Sequence, residues 1–205
     1  MVKIYDGIMK PINFNKDKRV KFAKVIKSLK IIRDAEIAYY QVNGKYTDSK
    51  EGLIQFIDTA QFAITETRDT VIEVNKGTRW QPVIVPVEKR ILDTIGYEAV
   101  LNSFEEKDYK NMFLVPGLDG KEFELSIDMV EKIAGLKVPV FEARTEKKDI
   151  LTGMDVSLVK QELEAVESDQ ITGQYVSVGS LSEVTTGGNW PPSYDKEDRE
   201  QEDDK

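Results

Sequence analysis

Asn15–Gly44, NKDKRVKFAKVIKSLKIIRDAEIAYYQVNG, decides the fold class, because it is a long stretch whose only reading is helical. Asn15 or Asp17 can cap its start, no proline interrupts it, and Asn43-Gly44 offers a left-handed stop, so the sequence predicts a helix over 15–42. Two sets of residues recur at every third position within it. One is basic (Lys18, Lys21, Lys24, Lys27, Lys30, Arg33) and the other apolar (Val20, Ala23, Ile26, Leu29, Ile32, Ala35, Ala38). With 3.6 residues per turn, stripes at spacing three slant across the helix surface. Such stripes favour steep crossings with several partners over a long parallel coiled coil, and no strict heptad is expected.

Working outward, GKYTDSKEGLIQFI places Glu51 three residues after Asp48, a capping box, and Leu53, Ile54, Phe56 and Ile57 give a short second helix its apolar face. Tyr39, Tyr40 and Tyr46 are expected to pack the two helices into a hairpin. From Phe62 the periodicity becomes that of strands. Phe62–Thr67 and Thr70–Val74 read as a hairpin broken at Arg68-Asp69, and Thr78–Val87 as an edge or irregular strand, with Pro82 and Pro86 along it and Trp80, Val83, Val85 and Val87 on one face. Glu88–Glu105 reads as part helix, part loop. Asn111–Val115 and Glu122–Ile127 flank Pro116–Gly120 as a second hairpin, Leu136–Ala143 reads as a further strand, and Asp155–Glu167 as a short helix. Thr185–Pro192 has no regular pattern, and the acidic stretch beyond reads as a disordered tail.

These elements give an α+β fold: a long N-terminal helix and a short second helix packed on a small, mainly antiparallel sheet, with an extended C-terminal tail. The expected divisions are an arm at 1–14, a helical hairpin at 15–60, an α+β body at 61–178 and an extended acidic tail at 179–205.

Composition bears on function by what it lacks. The 205 residues include no His and no Cys, which removes the usual general base near neutral pH, the thiolate nucleophile and the softer metal ligands. The 37 acidic side chains are too many for any pair to stand out. No enzyme activity, catalytic residue, metal ligand or cofactor is therefore expected. The first 24 residues hold no apolar run long enough for a signal segment or a membrane span, so no membrane anchor is expected.

Charge is polarised along the chain. Residues 1–33 carry ten Lys/Arg against two Asp, while the chain as a whole is at −8. Asp195–Lys205 has seven acidic and three basic residues. Opposite ends of opposite charge favour contacts between copies, or with oppositely charged neighbours. Lys18, Lys21, Lys24, Lys27, Lys30, Arg33, Trp190 and Tyr194 are accordingly the candidate subunit-interface residues. Trp190 would act as an exposed aromatic anchor unless the chain itself covers it.

Two resemblances follow. LKIIRDAEIAYYQVNGKYTDSKEGLIQFI (29–57) resembles the region after the membrane helix of pseudopilins, where a long helix enters an aromatic Gly-Lys-Tyr turn. A wider set comprises Ile32–Tyr39, Gly44–Thr47, Leu53–Ile57, Val85–Val87, Val140–Arg144, Leu151–Met154, Val178–Ser180 and Gly188–Trp190. It resembles uncharacterised Bacteroidetes proteins and relatives in crAss-like phages. The cellular members begin with an anchoring helix that has no counterpart here. The resemblance therefore implies the phage branch: a virion ring protein of a podovirus-like tail barrel, made in the bacterial host cytoplasm. Its partners would be copies of itself in a homo-oligomeric ring, twelve-fold as a working expectation, and neighbouring tail or portal proteins. DNA would pass an acidic lumen without specific binding. The alternatives are a soluble envelope or pilin-like accessory protein of a Bacteroidetes cell, and a nucleic-acid-binding protein that uses the basic helix.

Overall fold

The computed structural model describes residues 2–132, 135–164 and 170–195, with side chains from residue 9 onward. Helix α1 runs from Val2 to Asn43, 42 residues or about 63 Å. It starts well before the expected caps, so the residues assigned to a separate arm continue the helix. Pro11 lies inside it and leaves the carbonyl of Gly7 without its helical donor. The far end stops as the sequence predicts: Gly44 adopts φ +69°, and its N–H reaches the Tyr40 carbonyl at 2.8 Å.

The buried face of α1 includes the spacing-three apolar stripe from Ile26 through Leu29, Ile32 and Ala35 to Ala38, but not its first two members. Val20 is half-exposed and Ala23 only partly covered, whereas Phe22, Val25, Leu29, Ile32 and Glu36 are buried. With the partly buried Tyr39, these alternate three and four apart, the rhythm that keeps side chains on one face of a 3.6-residue helix. From Val25 to Ala38 burial also takes in Ile26, Ile31 and Ala35, an arc of about 240°. The chain wraps α1 rather than resting on one side of it.

Helix α2 (Lys50–Thr59) is capped by Ser49, whose hydroxyl accepts from the Gly52 N–H at 3.1 Å. The capping box expected at Asp48 and Glu51 thus starts one residue too early. Tyr39 packs edge-on against Phe56 of α2 with centroids 4.9 Å apart. Tyr46 instead stacks on Tyr40 and meets Phe141 at 4.8 Å, so it ties the turn to the sheet.

Strands β1 (Gln61–Asn75) and β2 (Ile84–Ala99) pair antiparallel over their full lengths as a two-stranded sheet of their own. The turn expected at Arg68-Asp69 is mid-strand. These two side chains pair across the ladder with Asp93 and Arg90, so opposite charges there support strand pairing instead of breaking it. The irregular stretch expected after Glu88 is strand as far as Ala99. Ile95 is an extra residue where the register shifts between Ile64 and Thr65.

A 3-10 turn (Val100–Ser103) leads down into the body. Around Pro116–Gly120 the expected hairpin is reduced to one bridge, Leu114 with Glu122. The second sheet has the order β3 (Glu124–Glu131), β4 (Lys137–Glu146), β5 (Tyr175–Gly179), all antiparallel. Two short helices separate β4 from β5: α3 (Lys147–Ile150) and α4 (Val156–Leu163), the latter capped by Asp155. The core forms where α1 meets α2, β4 and β5, around Phe22, Phe104, Phe123 and Phe141. The fold is α+β. Among the described residues, no helix is long and apolar enough to cross a membrane.

Candidate functional site

The basic residues of α1 come first, as the sequence singled them out. Lys18 pairs with Glu162 of α4 at 2.7 Å, with only 13% and 4% of the two side chains exposed. The Lys21 ammonium donates to the carbonyls of Ile150 and Thr152 at the end of α3, at 3.0 and 3.3 Å. Lys30 pairs with Asp195 at 2.8 Å, and Arg33 with its neighbour Asp34 at 2.9 Å. Lys24 and Lys27 are exposed. Four of the six basic heads are thus engaged within the chain, and the charge polarity seen along the sequence is partly neutralised by folding.

Trp190 and Tyr194 are engaged as well. Trp190 is only 9% exposed and belongs to the core, and its indole N–H donates to Asp195 at 3.2 Å. Gly188 makes this possible, because a Cβ there would lie 2.3 Å from the indole ring. Backbone bonds from Gly179 to Gly187 and from Asn189 to Ser177 hold the segment against β5. The Asn189 side chain accepts from Ser177 N–H and donates to the Tyr175 carbonyl. So residues 179–195, expected to trail as an extended tail, dock onto the sheet; 196–205 lie outside the described residues. Burial alone would raise the Asp195 pKa. Hydrogen bonds from Lys30 and Trp190 outweigh that and hold it below the ordinary carboxylate value. Tyr194 borders an open cleft of about 500 Å³ together with Lys16, Lys18, Arg19 and Gln170.

Three buried charged side chains, Lys147, Glu162 and Glu36, are not singled out by the sequence pattern. Lys147 is fully buried, and its ammonium reaches the Ile171 carbonyl and both the backbone and the carboxylate of Glu162. Burial pushes its pKa down and Glu162 opposes the shift. One carboxylate therefore serves two lysines, Lys18 and Lys147. Glu36 is also fully buried. One of its oxygens accepts from Thr47 N–H at 3.2 Å, and the other has no partner among the described residues. Burial, with a smaller contribution from Asp48, raises its pKa to about 8. The signal for Glu36 was present: it falls on the three-four rhythm between Ile32 and Tyr39.

The surface best placed to meet another molecule is the β1–β2 ribbon. Fifteen paired residues span about 50 Å, and among the described residues no third strand or helix layer covers them along that length. Val71, Ile84, Leu92 and Tyr97 share one face and are 61%, 61%, 65% and 70% exposed. At the tip, Trp80 is 90% exposed between Arg79 and Gln81. The loop that carries it is ordered: the Asn75 side chain accepts from the N–H groups of Gly77 and Val83, and Thr78 accepts from Gln81. The sequence pattern puts Trp80 within an irregular strand, whereas in the structure it lies in the loop before β2. Comparisons of the chain with protein-family models, with curated proteins and with solved structures found no match.

Proposed function

We propose that this chain is a non-enzymatic structural subunit that assembles with copies of itself through the β1–β2 ribbon, in the setting of a ring in a podovirus-like phage tail. The projecting ribbon is the observation that carries the assembly reading. An isolated two-stranded ribbon is marginal in water and gains by burying a face against something else. Here that face exposes four large apolar side chains, and the tip presents a tryptophan, the residue type most enriched at interface hot spots. Asn75 and Thr78 fix the loop beforehand, so little ordering cost remains when it docks. The phage setting rests only on the resemblance of the segments from Ile32–Tyr39 to Gly188–Trp190 to proteins of crAss-like phages.

Sizing by chromatography with light scattering at rising concentration tests the reading. The expected outcome is growth in mass with concentration and closed rings in electron micrographs, with Trp80→Ala shifting the population towards single chains. A mass equal to one chain at every concentration counts against assembly.

A further inference from the structure

Among the described residues, the two most exposed aromatic side chains lie at opposite ends of the ribbon, Trp80 at the tip and Tyr97 at the base. Charge differs between these ends too. The tip loop 76–83 carries Lys76 and Arg79 with no acidic residue. At the base, the turns that follow β2 carry Glu105, Glu106 and Asp108, all exposed, against the exposed Lys110 and against Lys107, which is engaged with Asp34; Glu66 and Glu98 lie on the ribbon face opposite Tyr97. Across the ladder Tyr97 faces only Ala63, with Thr65 and Thr94 beside it, so its ring stands above small neighbours as a platform. A basic, aromatic tip and an acidic, aromatic base are complementary, yet they cannot meet within one chain, because the extended ribbon keeps them about 50 Å apart.

We propose that the tip of one copy seats on the ribbon base of the next, with Trp80 against Tyr97 and Leu92, and Lys76 and Arg79 beside Glu105 and Glu106. This deepens the assembly reading and rests on it. The contact is heterologous, joining different patches on the two copies, so each copy keeps a free tip and a free base until a ring closes. An aromatic pair and partly desolvated opposite charges give both affinity and direction. The seat also accounts for Tyr97 and Leu92 being left uncovered at the root of the ribbon, beside the core.

The absence of cysteine makes the test direct. Gln81→Cys and Thr94→Cys each introduce a single thiol, one at the tip and one beside Tyr97. On mixing and mild oxidation, a Gln81–Thr94 cross-linked pair is expected in clear excess over a mixture of Gln81→Cys with Val156→Cys, an exposed position on α4. Arg79→Glu should weaken assembly at least about tenfold, the equivalent of a modest hot spot, and the exchange Arg79→Glu with Glu105→Arg should restore it. If copies assemble by sizing but the tip–base pair forms no more than the control, this seat is wrong and the assembly reading stands. If the protein stays a single chain throughout, the assembly reading falls and takes the seat with it.

Discussion

Replacing Glu36 by Gln should change how stability depends on pH, by an amount that the structure sets. Glu36 is fully buried on α1, with one oxygen bonded to the Thr47 N–H and the other without a partner among the described residues. Its pKa rises from 4.5 to about 8 on folding. Below pH 4.5 it is protonated in both states and adds no penalty. As pH climbs towards about 8 the unfolded chain releases this proton while the folded chain keeps it, so folding stability falls. At 1.36 kcal/mol per unit the full effect is roughly 5 kcal/mol, an upper bound because an entering water or a rotated side chain would relieve part of it. That is comparable to the whole stability of many domains. The amide introduced by Glu36→Gln can keep the bond to Thr47 and has no proton to lose. Urea unfolding of both proteins should therefore show the variant gaining on the wild type by several kcal/mol between pH 4.5 and about 8, and little beyond. Because Asp48 and the other titrating groups are common to both proteins, their contributions largely cancel in the difference. A difference that stays flat across this window would refute the reasoning.

Glu162→Ala leaves Lys147 buried without its counter-charge and should cost about 3–5 kcal/mol in denaturant unfolding, whereas Lys18→Met, removing the partner closer to solvent, should cost about 1 kcal/mol. Gly188→Ala pushes a methyl into the Trp190 ring and should cost about 1–3 kcal/mol; in a Trp80→Phe background, where Trp190 is the sole tryptophan, its emission should shift red as the ring is displaced. Trp80→Ala should leave the unfolding of the single chain within about 0.5 kcal/mol of wild type while it weakens assembly, since the ring is almost wholly in solvent. Were unfolding strongly affected instead, Trp80 would be a folding residue and not a docking one.

The sequence by itself determined what depends on near neighbours along the chain. The unbroken run from Asn15 onward specifies a helix, and Asn43-Gly44 ends it because only a residue that tolerates positive φ fits there. Asp155 caps α4 by a hydrogen bond spanning two or three residues. The mixed α+β class follows from the change in period after Ala60.

Tertiary structure alone decided where the chemistry went. Lys18 and Lys30 look like a free basic stripe until residues 144 and 165 positions away bring carboxylates to them. Trp190 looks like an exposed anchor until Gly188 opens room for its ring in the core. Arg68-Asp69 looks like a turn until Asp93 and Arg90 face it across a ladder. The ribbon's exposure is a fact about what does not pack against it, and no local pattern encodes that. Helix formation and capping are set by bonds within a few residues, whereas burial and charge pairing are set by segments that meet only once the chain has folded.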